Sequence, residues 1–357
     1  MIVNFFEPPP AKKVGGLEPA IRAIEAFLCG AGVSVRSNPA LAELGKSGVP
    51  EIVHFHGLWE PSFLRISAHC RRAGIPYVVS PHGMLEPWVR RYKRWKKWPW
   101  FQLFERHHLA GASRLLTTSD IEARNLGDLL PDSKCVALPL GLTADSGADY
   151  TAARRTLGWK ETETILLFLS RIHQKKGLNL LLQALAGLDV PEKQSARLVI
   201  VGGGENAYLR ELMDFVAREQ TRLPRIDWVG EVWGDEKWAY FQGADLFCLP
   251  SFSENFGLAV LEALQVGTRV LTTNQTPWTD VPSWGAGFVT EPTEMAVRDS
   301  LEQFFARPEW PAEQRTRLAA QIRARYAWDT VGPGYLCFYE EIFCTDLRTT
   351  AECVELF

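Results

Sequence analysis

The sequence lacks any arrangement of cysteines that would cross-link a fold or hold a metal. Its seven cysteines are dispersed, with no Cys-x-x-Cys pair and no cluster of histidines beside them. An odd, scattered set of this kind is typical of reduced thiols in a cytosolic protein and excludes a disulfide framework or a zinc site as the organising feature. The set is Cys29, Cys70, Cys135, Cys248, Cys337, Cys344 and Cys353.

Excess charge of one sign and long apolar runs are also missing. The net charge is −3, so the chain is not a globally basic nucleic-acid binder, and any attraction for anions must be local. No apolar run approaches the ~20 residues of a membrane span, and the first residues show neither the basic nor the apolar part of a signal peptide. We therefore expect a cytoplasmic protein, either soluble or peripherally attached to the inner face of the membrane. Its 357 residues suffice for two domains.

One stretch, Pro250 to Gly267, concentrates the chemistry that is present. An apolar strand (244–249) leads into it, a helix with leucines at helical spacing follows, and Gly267 is placed to end that helix. The amides of Phe256, Gly257 and Leu258 at the start of the helix favour an anion such as a diphosphate. Two carboxylates nearby would repel that anion unless they face neutral hydroxyls. A ligand with phosphates in its middle and sugars at both ends fits, and a nucleotide sugar is such a ligand.

Those carboxylates, Glu254 and Glu262, form an E-x7-E pair inside Pro-Ser-x-x-Glu-x-Phe-Gly. This pattern resembles the donor-site signature of the retaining GT-B glycosyltransferases of family 4. The resemblance implies that Glu254 contacts the donor sugar as a catalytic residue, that Glu262 holds the ribose, and that residues 255–258 (Asn255, Phe256, Gly257 and Leu258) bind the donor. The alternative is two surface glutamates beside an ordinary amphipathic helix.

A second loop supplies the positive charge that a diphosphate needs. The strand 164–169 is followed by Arg171 and, five residues later, Lys176 before a leucine-rich helix. They match the family's catalytic arginine and lysine, which neutralise the donor diphosphate; Lys175 could substitute for Lys176. The alternative is two solvated bases in a loop.

The glycine-rich turn Gly202 to Ala207 is the strongest rival signal. It fits the G-x-G-x-x-A fingerprint of dinucleotide-binding proteins. That fingerprint needs an acidic residue at the end of the next strand, whereas Asp227 is expected to precede its strand, 228–230. The resembled family has a similar turn near its nucleotide, which implies a donor-side role for Gly204 and for Val232.

The first half of the chain opens as a nucleotide-type α/β unit. A strand at residues 2–6 leads through Gly15 and Gly16 to a helix at 19–27. In the resembled family such a glycine loop closes over the donor phosphates. The alternative is a tight turn with no ligand role.

Two histidines follow strands of this half, at the edge where parallel sheets bind ligands. His56 follows the strand 52–55, and His82 with Gly83 follows the strand 77–80. The segment 76–88 resembles the acceptor-side signature of family 4 enzymes that make bacterial surface polysaccharides. It implies that His82 is catalytic and lies beside the reacting sugar, with His56 and Gly83 on the acceptor side.

The segment Trp88–Phe101 combines six bases, no acid and four tryptophans. As a helix up to Pro99 it would bring Trp88, Arg91, Trp95 and Trp98 close to one stripe. Aromatics among bases suit an anionic membrane surface. The alternative is that the tryptophans pack into the first domain.

Together these features predict an α/β protein of the GT-B class, with two doubly wound Rossmann-like domains facing across a cleft. The expected domains are residues 1–144 for the acceptor and 145–328 for the donor, joined near 144–150, with a C-terminal helix in 329–357 returning to the first. We expect transfer of a sugar from a nucleotide sugar to a glycan or lipid-linked acceptor, in bacterial polysaccharide or glycolipid assembly. Retention of the anomeric configuration is implied by the resemblance. No Asp-x-Asp occurs, so no metal cofactor is expected. The alternatives are an NAD-type oxidoreductase and a non-catalytic binding protein of the same fold.

Overall fold

Buried apolar strands alternate with helices along the whole chain, which is the pattern of parallel α/β sheets. In the computed structural model, the described residues are 1–9, 16–91, 94–142, 149–306 and 310–346. The chain divides into two compact units. Unit 1 comprises Met1–Thr143 with Tyr326–Phe357, and unit 2 comprises Ala144–Arg325. Residues 144–148 of the expected linker lie outside the described residues.

Unit 1 is built on a six-stranded, all-parallel sheet. Its elements are β1 (Ile2–Phe6), α1 (Leu17–Gly30), β2 (Ser34–Ser37), β3 (Glu51–His56), α2 (Pro61–Ala73), β4 (Tyr77–Ser80), α3 (Pro87–Arg91), α4 (Arg94–Trp100), α5 (Arg106–Ala110), β5 (Arg114–Thr117), α6 (Asp120–Gly127) and β6 (Cys135–Ala137). The strand order is β2-β1-β3-β4-β5-β6. The strand order reverses between β1 and β3, so the loops after these two strands open a crevice there, and β4 ends at the same edge beside β3.

Unit 2 repeats this construction. Its elements are α7 (Tyr150–Leu157), β7 (Thr164–Leu169), α8 (Leu178–Gly187), β8 (Ala196–Val201), α9 (Asn206–Arg218), β9 (Arg225–Gly230), α10 (Glu236–Gly243), β10 (Leu246–Leu249), α11 (Leu258–Gln265), β11 (Arg269–Thr273), β12 (Gly287–Thr290), α12 (Glu294–Phe305) and α13 (Ala312–Tyr326). The order is β12-β11-β10-β7-β8-β9, with every pair parallel. The reversal of strand order falls between β7 and β10, so the loops after these two strands open a crevice there.

The last helix, α14 (Trp328–Asp346), belongs to unit 1, as predicted. Its apolar side is buried there, and the ring of Trp328 stacks on Phe27 of α1 with centroids 5.3 Å apart. The hydroxyl of Tyr339 lies 2.7 Å from Nδ1 of His54 in the centre of the sheet. The buried apolar side chains of α14 are Tyr335, Phe338, Tyr339 and Ile342. Among the described residues, no helix is both long enough and apolar enough to cross a membrane.

The segment around Pro99 differs from the expected helix. Instead of ending at Pro99, α4 runs through it to Trp100, and a π-helical turn (Phe101–Glu105) follows at once. A proline has no N–H to donate to the preceding turn, and the wider turn that follows accommodates the missing bond. Residues 92 and 93, between α3 and α4, lie outside the described residues.

Gly267 ends α11, as the sequence indicates, and holds it against a neighbouring helix. Its φ is +80°, and a Cβ there would overlap the backbone carbonyl of Arg315. Gly285 has a similar φ of +65° after the short 3₁₀ turn Val281–Trp284, but it faces open space. A side chain at Gly285 would therefore meet backbone strain alone, whereas one at Gly267 would meet the same strain and a steric overlap as well.

We predict that Gly285→Ala costs about 1–2 kcal/mol, the penalty of a left-handed conformation. Gly267→Ala should cost a further 1–3 kcal/mol, roughly the range for overpacking. Urea denaturation of the two variants, measured side by side, checks this. Equal losses would show that the contact with Arg315 imposes no constraint.

Candidate active site

The loop after β7 and the loop after β10 meet at the reversal point of the unit 2 sheet. The backbone N–H of Phe252 and the hydroxyl of Ser251 both donate to the carbonyl oxygen of Lys175, at 2.8 and 2.9 Å. Gly177, with a φ of +71°, starts α8 so close to Pro250 that a Cβ would overlap the carbonyl oxygen of Pro250. These contacts fix the spacing of the two loops.

Lys176 and Glu254, predicted from different motifs, form an ion pair across these loops. Nζ of Lys176 lies 2.7 Å from Oε1 of Glu254, and the glutamate is buried. Burial alone would raise the pKa of the Glu254 carboxyl, but the nearby charges of Lys176 and Lys175 outweigh it and hold that pKa below its ordinary value. Of the two lysines that the sequence left open, Lys176 makes the direct contact. The carboxylate of Glu254 also interacts electrostatically with Arg171, which is exposed.

The start of α11 lies beside this pair. Gly257 is the N-cap residue, and its carbonyl accepts from the amide of Val260 at 2.8 Å. The helix proper therefore begins with Leu258, the last of the three residues whose amides the sequence nominated, and Phe256 and Gly257 directly precede it. The side chain of Phe256 is buried: its ring packs on Trp278, and its carbonyl accepts from Trp278 Nε1 at 2.5 Å. The donor role expected of its amide stays a prediction. Asn255, between the ion pair and the helix, is half-buried.

Glu262 is buried in α11 and pairs with a residue that sequence reasoning missed. Nζ of Lys237, in α10, lies 2.7 Å from Oε1 of Glu262. No motif marks Lys237, which lies 25 residues before its partner, so only the packing of α10 beside α11 reveals it. The pair neutralises a carboxylate that would otherwise oppose an anionic ligand.

The glycine-rich turn packs on the loop that carries Arg171. The amide of Ile172 donates to the carbonyl of Gly203 at 2.7 Å, and Ile172 and Gly204 form a parallel bridge. The turn is thus held in the same group of loops as Lys176 and Glu254. Val232 is half-buried in the loop after β9.

The structure corrects the argument used against a dinucleotide site. Asp227 lies inside β9, not before it, and Glu231 directly follows that strand. The carboxylate of Glu231 lies against Gly203. An acidic residue therefore does follow the strand, and the fingerprint alone does not exclude a dinucleotide.

In unit 1 the two predicted histidines are in contact. Nδ1 of His56 lies 3.1 Å from Nε2 of His82, and the rings stack with centroids 5.4 Å apart. His82 has a φ of +50°, an uncommon conformation for a residue other than glycine. Desolvation lowers the pKa of His82 to about 4, so its ring is neutral near pH 7. Since one nitrogen in the contact must donate and the other accept, each histidine fixes the tautomer of the other.

Two residues that support this pair carried no sequence signal. Buried Glu122 accepts from the amide of Gly83 at 2.6 Å and anchors the His82 loop. His54, two residues before His56, lies 2.8 Å from Ser80 Oγ through Nε2 and is fully buried. Desolvation, with a smaller contribution from His82, lowers the pKa of His54 well below its ordinary value. Glu122 binds a backbone amide and His54 lies in the core, and no sequence motif marks either position.

The glycine pair of the first loop is only partly described. Gly15 lies outside the described residues. Gly16 is the exposed N-cap residue of α1, and its carbonyl accepts from the amide of Ala20 at 3.2 Å. Its expected donor role stays a prediction.

The basic-aromatic segment, residues 88–104 as extended by the π-helical turn, exposes several large apolar side chains. Trp95 is 74% exposed, Leu103 65%, Phe104 42% and Trp98 37%. Trp100 instead donates through Nε1 to the buried carboxylate of Glu105 at 3.1 Å. The alternative that all four tryptophans pack into the domain is therefore wrong for Trp95.

Both units match models of glycosyltransferase domains. Residues 149–325 match the model described as glycosyl transferases group 1, and residues 10–141 match the glycosyl transferase 4-like domain. The chain belongs to the GT-B glycosyltransferases. The two models together leave only short parts of this glycosyltransferase unmatched, which outweighs the dinucleotide fingerprint.

Proteins similar to this glycosyltransferase include relatives by sequence and solved structures with a similar fold. D-inositol 3-phosphate glycosyltransferase of Rhodococcus opacus is 31% identical over 180 residues, 48% of this chain and 40% of that relative. Sucrose-phosphate synthase from Thermosynechococcus elongatus superposes with a TM-score of 0.77 at 18% identity, covering 96% of this chain and 100% of the other. Anabaena HepE, solved in complex with UDP-glucose, gives 0.67 at 17% identity over 96% and 100%. The chain spans less than half the length of the first curated relatives that it matches.

We predict that acid destabilises the glycosyltransferase partly through His82. Because its folded pKa is about 4 against an ordinary 6.5, the unfolded chain binds more protons between these values. The contribution of His82 to the free energy of unfolding is fully present above about pH 6.5. It is lost as the pH falls towards 4, and the loss amounts to roughly 3 kcal/mol.

His82→Asn tests this, because asparagine tolerates a positive φ. Urea denaturation at pH 7.5 and pH 5 should show a smaller acid loss in the variant than in the parent protein. Equal losses would mean that His82 does not titrate in this way.

Proposed function

We propose that the protein transfers a sugar from a nucleoside-diphosphate sugar to an acceptor hydroxyl, with retention of the anomeric configuration and without a metal. The observation that carries this proposal is the Lys176–Glu254 ion pair beside the start of α11. It brings a cation, a sugar-binding carboxylate and a helix N-terminus together at the reversal point of a parallel sheet.

Positive charge at this point serves the departing diphosphate. Arg171 and Lys176 flank the loop after β7, and the amides at the start of α11 add the positive end of a helix dipole. Fixed donors of this kind stabilise charge that develops in the transition state without reorganising. They perform the task that a bound metal performs in other enzymes.

The two glutamates fit the neutral ends of the donor. Glu254 would accept from sugar hydroxyls and Glu262 from the ribose, with Lys176 and Lys237 balancing their charge. Gly204, Val232 and Asn255 would contribute from the neighbouring loops. The UDP-glucose bound to Anabaena HepE, a protein of the same fold, supports this class of donor.

The acceptor side is assigned to unit 1. A neutral His82, held by His56 and by the Glu122 anchor at Gly83, would border the reacting sugar as a hydrogen-bonding group. We nominate no side chain as a nucleophile. The acceptor would be a glycan or a lipid-linked glycan in bacterial polysaccharide or glycolipid assembly. Nucleic acid is not an expected partner.

A screen of nucleotide sugars by thermal shift, followed by turnover in excess chelator, tests the function. Stabilisation by one nucleoside-diphosphate sugar, with transfer that persists in the chelator, is the expected result. NMR of the product reports the anomeric configuration. Stabilisation by NAD alone would favour the oxidoreductase, in which Glu231 would hold the ribose. Donor binding without turnover would favour a non-catalytic protein.

Lys176→Ala and Glu254→Gln should each reduce transfer by some tens to a thousandfold, since a charge-assisted contact in the transition state contributes ~2–4 kcal/mol. Lys175→Ala is the matched control, because it removes the same charge one residue away while Lys176 keeps its bond to Glu254. Steady-state kinetics of the three variants measure the effect. Transfer by Lys176→Ala within twofold of the parent protein would contradict the assignment.

The basic-aromatic segment is proposed to bind an anionic membrane surface from the cytoplasmic side. Trp95, Trp98, Leu103 and Phe104 would enter the headgroup boundary, where each adjoining base contributes up to ~1 kcal/mol.

Sedimentation with vesicles checks this surface. Binding to anionic but not neutral vesicles, weakened by salt, is expected. Trp95→Ser should lower it, whereas Trp233→Ser, which removes an equally exposed tryptophan from unit 2, should not. The idea fails if neither kind of vesicle sediments the protein.

A further inference from the structure

His173 lies in the loop between Arg171 and Lys176, the two residues proposed to neutralise the diphosphate. Its side chain is half-buried, and it is the only histidine in the sequence between residues 144 and 325. No motif marks it as a ligand. Because it stands between two proposed partners of an anion, the hydrogen bonds that it makes bear on the geometry of the site.

The ring of His173 is the N-cap of the 3₁₀ turn Gln174–Lys176. Its Nδ1 accepts a hydrogen bond from the backbone N–H of Lys175 at 3.1 Å. Its carbonyl oxygen accepts from the backbone N–H of Lys176 at 2.8 Å. The first amides of a helical turn have no partner within the turn, so a side chain that accepts from one of them stabilises it. His173 thus binds the amides of both lysines, one through its ring and one through its backbone.

The turn is fixed on both sides of this cap. Before it, Ile172 donates its N–H to the carbonyl of Gly203 at 2.7 Å, and after it the carbonyl of Lys175 accepts from Phe252 at 2.8 Å. Between these anchors the cap orients the peptide that leads to Lys176. A different orientation of that peptide would displace the lysine ammonium from the point where it meets its carboxylate partner.

The protonation state of His173 decides whether the cap can form. An imidazole nitrogen accepts only while it carries no proton, so the proton of the neutral ring must be on Nε2. Desolvation lowers the pKa of His173 below its ordinary value, as do three cations of its own loop, whereas a carboxylate of the glycine-rich turn raises it. The cations are Arg171, Lys175 and Lys176, and the carboxylate is Glu205. The ring is therefore neutral near pH 7, and the cap is intact.

We propose that His173 is a positioning residue for the transfer reaction, whose neutral ring caps the turn and thereby holds the Lys176 ammonium against the departing diphosphate. This inference rests on the proposed transferase function and adds a residue that acts through Lys176. Protonation of Nδ1 would set one N–H against another and break the cap. The contribution of the cap is fully present above about pH 6.5 and is lost as the pH falls through the lowered pKa of His173.

A direct role of His173 as a phosphate ligand predicts the opposite dependence on pH. A diphosphate attracts a protonated imidazole, so acid would strengthen binding through such a ligand. With the cap, acid weakens binding, because the protonated ring no longer holds the turn. The sign of the pH effect therefore separates the two roles.

UDP is the probe, replaced by ADP or GDP if the thermal-shift screen selects another base, and calorimetry on the full chain measures its affinity. His173→Asn keeps a capping side chain that does not titrate, whereas His173→Ala removes the cap. At pH 7.5 His173→Ala should weaken binding about three- to tenfold, and His173→Asn should stay within twofold of the parent protein. Gln174→Ala is the matched control, since it shortens an exposed side chain of the same turn and should also stay within twofold.

The pH profile provides the second readout. As the pH falls from 7.5 to 5, the parent protein should lose affinity relative to His173→Asn, and the titration of UDP itself cancels in this ratio. The values of kcat/KM for sugar transfer should follow the same ratio. NMR of the imidazole nitrogens, with His173 assigned through its variants, should show the proton on Nε2 at neutral pH. Thermal unfolding verifies that each variant folds.

Three results would overturn the inference while the donor assignment stands. They are UDP binding by His173→Ala as tight as that of the parent protein, acid that strengthens binding relative to His173→Asn, and a neutral ring with its proton on Nδ1. A parent protein that binds none of the nucleoside diphosphates would instead refute the proposed function, and this inference with it.

Discussion

The close approach of Gly177 to the carbonyl of Pro250 governs the geometry of the site around Lys176 and Glu254. It brings the end of β10 against the start of α8, and only from that spacing can Lys176 reach Glu254 at 2.7 Å. Two hydrogen bonds to the carbonyl of Lys175 lock the same junction. The buried carboxylate of Glu254 is tolerated because backbone contacts between the two loops hold its counter-charge, Lys176, in place. The site is therefore organised before any ligand binds.

Much of this architecture could be predicted because the strands are apolar and end at recognisable residues. The expected bounds of β1, β4 and β7 agree with the structure. Glu254, Lys176 and His82 could be nominated because each lies in the loop after a strand, inside a motif that resembles family 4. The position predicted for Asp227 was wrong because two charged residues, Arg225 and Asp227, lie in the first half of β9 and obscure its start.

Other partners were beyond sequence reasoning for a physical reason. Lys237 meets Glu262 only through the packing of α10 on α11, and Glu122 reaches Gly83 from 39 residues away. His54 lies inside the buried strand β3, and no motif in the sequence distinguishes it from a histidine that only packs in the core. Contacts of this kind depend on the register of the sheet and on helix packing, not on any local spacing of residue types.

The return of α14 to unit 1 also sets the order in which the protein can be completed during synthesis. His54 is buried beside Tyr339, which follows it by 285 residues, and Trp328 donates through Nε1 to the carbonyl of Leu142 at 3.0 Å. Unit 2 is continuous and can close as soon as its own residues have left the ribosome. Unit 1, although translated first, lacks one wall of its core until the last helix emerges. The domain that begins the chain is therefore the one that finishes folding last.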